Sequence, residues 1–158
     1  RSTPCSGAEP MSEYNEQAYR EARQSAIALA CPFERALLSR CVVCFKAKKL
    51  LLAEREVISC TEERASALCQ VFHEALHENA RFALHVEPHQ PWPFGKEIRA
   101  QCGGVRGLAE AMDKPAGQPA DVALLVNEGL LKYGNIGQFP YSEIMRAVVH
   151  YEPRPRRT

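Results

Sequence analysis

A chain of 158 residues with 46% apolar and 25% charged side chains is long enough to bury a core of its own, as one domain, without covalent staples. Its 20 basic and 19 acidic residues leave a net charge of +1, which speaks against the strongly basic face of a dedicated nucleic-acid binder. No apolar run reaches the roughly 18 residues of a membrane span, and no apolar signal core stands near the start. The composition therefore points to a cytoplasmic protein whose seven cysteines are reduced, serving as free thiols or metal ligands rather than as a disulfide framework.

Residues 1–11 are small, polar and turn-forming and read as a disordered leader, which sets Cys5 aside. From residue 12 the pattern turns helical, with Tyr14, Ala18, Ala22, Ala26 and Leu29 recurring at spacings of three and four. Pro32 ends that segment by pushing Cys31 out of the helical region, and suits the first position of a second helix. The stretch 32–57 holds no further Gly or Pro and is rich in Leu, Ala, Lys, Arg and Glu, so composition predicts one long helix there. Its Lys46, Lys48, Lys49 and Arg55 read as a solvated face, offset by Glu54 and Glu56.

Ser59 and Glu62 match a capping box, and a third helix over 61–84 follows, with Ala65, Leu68, Cys69, Phe72, Leu76, Ala80 and Ala83 on one face. Three prolines make 86–95 an extended connection, in which Trp92 either anchors a partner or plugs a gap. Residues 96–101 suggest a short strand broken by Gly103-Gly104; residues 105–112 look helical. Asp121 caps a helix through Tyr133 that Gly134-Asn135 stops, and a last helix covers 141–151. The tail 154–158 is basic, with Arg154, Arg156 and Arg157 as a weak candidate for an acidic partner. The expected fold is mainly α. An antiparallel helical hairpin or three-helix bundle over 12–85 carries most of the cysteines. A smaller helical region over 96–153, with at most one short strand or hairpin, packs on it.

Two pairs of side chains carry chemistry. Cys41 and Cys44 lie three apart, and His73 and His77 four apart, so each pair shares one face of its predicted helix. If the second and third helices form a hairpin turning near residues 58–59, the four residues meet at one level, the donor set of a tetrahedral zinc site. The alternative is an iron–sulfur cluster on Cys31, Cys44, Cys60 and Cys69, from the cysteine crowding between 31 and 69. A straight helix over 32–57 would hold Cys31 and Cys60 roughly 40 Å apart, so this set requires the helix to be broken. Packing alone is the plainer account of the thiols.

The stretch Ala100–Gly107 (AQCGGVRG) offers either a tight turn with positive φ or an anion-binding helix start. Cys102 within it is a candidate nucleophile, near Arg106 and with His85 or His89 as its base. The expected function is that of a small non-enzymatic protein that binds a metal or responds to redox state and acts through a protein partner. A Cys102 enzyme and a plain interaction module are the alternatives.

Overall fold

The structure is a computed structural model, and it describes residues 16–21, 27, 29–115 and 117–153. The expected leader with Cys5, most of the first predicted helix and the basic tail lie outside the described residues, although residues 16–21 are helical. The chain then runs through α1 (Glu34–Leu38), β1 (Val42–Val43), β2 (Ala47–Leu52), β3 (Arg55–Cys60) and α2 (Glu63–Ala83). It continues through α3 (Phe94–Ile98), a π-helical turn (Arg99–Gly103), α4 (Gly104–Ala111), β4 (Ala120–Asp121), α5 (Val122–Tyr133), a 3₁₀ turn (Ile136–Gln138) and α6 (Tyr141–His150). None of these helices is long and apolar enough to cross a membrane.

This architecture corrects the expected helical hairpin or three-helix bundle. The predicted helix over 32–57 is absent: only Glu34–Leu38 is helical, and the rest forms two small sheets. Helix α1 stops because Arg40 turns left-handed (φ 68°). Strand β1 then pairs parallel with β4, Val42 opposite Ala120. Strands β2 and β3 form an antiparallel hairpin, Leu52 opposite Arg55, whose two-residue turn places Ala53 and Glu54 at φ 50° and 67°. Both turn residues are left-handed, as a primed hairpin turn demands. A chain composed for helix thus folds as strand because Val42, Val57 and Ile58 are buried there, and burial outweighs a propensity difference of a few tenths of a kcal/mol per residue.

Helix α2 answers the 3.6-residue pattern, burying Ala65, Cys69, Phe72, Leu76 and Ala80. The capping box does not form; Glu62 is the N-cap and its side chain makes no capping bond. Asp121 does cap α5, accepting from the Leu124 N–H at 3.1 Å, and Gly134 ends that helix at φ 94°. The core runs from Phe33 through Phe72, Leu76, Leu108 and Val126 to Ile144 and Val148.

Residues 96–101 are helical too, which corrects the expected strand. Helix α3, the π turn and α4 run on without interruption, and Gly103 and Gly104 sit at φ −65°. The glycines therefore make neither a positive-φ turn nor a helix start that could take an anion. They let α6 approach: a Cβ on Gly103 would lie 2.8 Å from Val148 Cα, and one on Gly107 2.8 Å from Ile144 Cα. Backbone cannot yield as a side-chain tip can, so Gly107→Ala destabilises the fold by roughly 1–3 kcal/mol. A chemical-denaturation midpoint indistinguishable from that of the parent chain would contradict this packing.

Candidate metal centre

Helix α2 carries His73 and His77 one turn apart on one side, their ring centroids 4.2 Å from each other. Phe33 meets His73 edge-on at 5.5 Å, and Trp92 stacks on His77 at 4.2 Å and 20°. Trp92, half-buried, therefore covers the histidine pair from the proline-rich connection. Its indole Nε1 is buried without a hydrogen-bond partner.

Glu97 on α3 completes the group. It is only 7% exposed, and its carboxylate lies between the two rings. His73 Nε2 stands 3.0 Å from Oε2, and His77 Nε2 lies 2.8 Å from Oε1 and 3.0 Å from Oε2. Gln101, one turn on, donates its Nε2 to Glu97 Oε2 at 2.6 Å and accepts the Ala36 N–H on its Oε1 at 2.9 Å. The amide thus ties the carboxylate to the backbone of α1. Burial works to raise the Glu97 carboxyl, but the hydrogen bonds from His73, His77 and Gln101 together outweigh it and hold the group well below the ordinary carboxylate range. A buried anion at neutral pH faces two imidazoles.

Among the described residues, His73, His77 and Glu97 are the group of three whose ligand atoms all lie within 4.8 Å of one another, so they could hold a metal ion. No family model, curated protein or solved structure matches the chain.

The other residues singled out in the sequence lie elsewhere. Cys41 is bonded to Cys102 in a disulfide that joins the end of α1 to the π turn, with Cα atoms 6.1 Å apart. This corrects the expectation that all the cysteines are reduced, and it removes the main ground for placing the chain in a reducing compartment. It also occupies the candidate nucleophile, which is 2% exposed, while His85 and His89 are exposed on the connection after α2. Cys44 faces a separate cavity with Cys31, Cys60 and Cys69.

Sequence reasoning found the two histidines and missed Glu97 and Gln101. Their own i, i+4 spacing was the available signal, hidden by reading 96–101 as strand.

Proposed function

We propose that the protein binds a divalent first-row transition metal, zinc, through His73, His77 and Glu97. The observation that carries this is the carboxylate: a buried anion, aimed between two imidazole nitrogens and fixed from behind by Gln101. Two nitrogens and one carboxylate oxygen form a donor set that zinc accepts, with its fourth position left open. Zinc ligands at 2.0–2.1 Å stand about 3.4 Å apart. The atoms now bonded at 2.8–3.0 Å would separate by only about half an ångström to take the ion. Neutral imidazoles are needed, so binding releases any proton the pair holds and weakens in acid.

The side chains of His73, His77 and Glu97 support metal binding at this centre. Gln101, Trp92 and Phe33 orient and cover the ligands, and the Cys102 thiol weighed as a nucleophile is consumed in the disulfide.

Gln101 is the sharpest probe, since it touches the carboxylate and is not itself a ligand. Outer-shell partners of this kind are worth roughly 10–100-fold in metal affinity. Gln101→Ala should weaken zinc binding by that factor, read by competition against a chromogenic chelator. Unchanged affinity in Gln101→Ala would count against the centre.

A further inference from the structure

The four described cysteines outside the disulfide, Cys31, Cys44, Cys60 and Cys69, come from four different segments and line one small apolar cavity. Cys31 precedes α1, Cys44 lies on the loop between β1 and β2, Cys60 ends β3 and Cys69 projects from α2. The break in the predicted long helix brings them together. Cys31 N–H donates to Ile58 O at 3.3 Å and Cys60 N–H to Leu29 O at 2.7 Å, clamping the segment before α1 onto the end of β3. Ala47, three residues after Cys44, is paired with Cys60 in the hairpin. Asp121 accepts from the Phe45 N–H at 2.9 Å and so ties the Cys44 loop to the start of α5.

Packing alone would bring one or two thiols to a core position; it does not account for four at one cavity. Burial pushes the Cys31 and Cys69 thiols up to about 12 and raises Cys44 as well, so the cavity holds neutral thiols whose protons an incoming metal must displace.

We propose that Cys31, Cys44, Cys60 and Cys69 are the ligands of a second metal centre, of thiolate chemistry, whose occupant is an iron–sulfur cluster. A single zinc ion shares this ligand chemistry and is the other source to separate. One tetrahedral ion holds its four sulfurs about 3.8 Å apart. Here no three of the sulfurs lie within 4.8 Å of one another. A cluster spreads its thiolates over more than one iron and suits the wider spacing. The present void, about 10 Å³, has room for about one water-sized group. Either occupant needs the sulfurs to shift, outward from this void for a cluster and inward for a single ion. Binding breaks four S–H bonds and makes four S–Fe bonds, the protons passing to solvent. No electron moves when iron and sulfide are supplied at the oxidation levels of the cluster.

The test uses the whole chain with its disulfide intact, prepared without oxygen. One arm supplies ferrous and ferric iron in equal amounts with sulfide; the other supplies zinc alone. The expected result in the first arm is a brown protein with iron and acid-labile sulfide in equal amounts. The four cavity thiols are then protected from alkylation. The colour persists in the His73→Ala, His77→Ala double variant and disappears in Cys31→Ser and in Cys60→Ala. Survival of the colour without the histidines separates this centre from the proposed zinc site. The alkylation readout is made on the unaltered chain, so it holds even if a cysteine variant fails to fold. A colourless protein whose four thiols are protected by zinc alone would overturn the cluster and leave a single-ion centre. Thiols that alkylate equally with and without either metal would overturn the centre altogether.

Discussion

A Glu97→Ala protein is expected to lose metal binding by more than about 100-fold, beyond the range typical of losing a supporting residue, and to be less stable even without metal. In the proposed centre Glu97 supplies one ligand and sets the other two, since both imidazole nitrogens are bonded to its carboxylate. Truncation also strips the Gln101 amide of its acceptor and leaves a cavity at a position only 7% exposed. Hydrogen bonds to a buried charged group contribute about 1.5–3 kcal/mol each, and part of that is recovered when the freed partners meet water, so a net loss of about 3 kcal/mol is expected. Glu97→Gln separates charge from shape: it keeps the volume, loses the anion and should lose most of the metal affinity. Because the folded carboxyl is held below its ordinary range, its stabilising contribution is present above the unfolded value near 4.3 and is lost as pH falls through the depressed folded one. The stability gap between the parent chain and Glu97→Gln should therefore close in strong acid. Metal retention by Glu97→Ala at the level of the parent chain would remove Glu97 from the centre.

Reduction of the Cys41–Cys102 bond is the second large effect. The bond closes a loop with a sequence separation of 61 residues, and a crosslink of that span restricts the unfolded chain by about 4 kcal/mol on the loop-entropy account. The consequence should also reach the metal centre. Cys102 follows Gln101 in the π turn, and Cys41 follows the helix whose Ala36 N–H holds the Gln101 amide. The two ends of the disulfide therefore fix the two elements between which Gln101 is stretched. In the Cys41→Ala, Cys102→Ala protein the denaturant midpoint should fall by the equivalent of about 4 kcal/mol, and zinc affinity should fall roughly tenfold, toward the lower end of an outer-shell effect. Equal midpoints under oxidising and reducing conditions would contradict this account.

The contrast between what the sequence disclosed and what it hid has physical causes. Helix α2 was legible because its buried face repeats at 3.6 residues over twenty-one positions, and α5 because Asp121 and Gly134 bracket it. His73 and His77 could be placed on one face for the same reason. The hairpin of β2 and β3 was not legible: its turn is Ala53-Glu54, with neither glycine nor asparagine to announce left-handed backbone. The strands themselves carry Lys, Leu, Arg and Glu, which are good helix formers. Strand pairing over long separations, such as Val42 with Ala120, leaves no local trace at all. Glu97 reaches His73 from twenty-four positions away after three prolines, so the only local trace of its role was its i, i+4 spacing to Gln101. The cysteines show the opposite error. Their crowding in sequence was visible, but a straight helix over 32–57 would have kept them apart, and it is the break in that helix that gathers four of them at one cavity.

The most direct test of the central claim is X-ray absorption at the zinc edge, on the Cys44→Ala, Cys60→Ala protein loaded with one equivalent of zinc, so that the cysteine cavity keeps only two thiols. The account predicts nearest neighbours that are all nitrogen and oxygen at about 2.0–2.1 Å, with the outer-shell signature of two imidazoles. That signature should be absent when His73 and His77 are both alanine. Sulfur among the nearest neighbours, or a spectrum unmoved by loss of the two histidines, would contradict a metal centre at His73, His77 and Glu97.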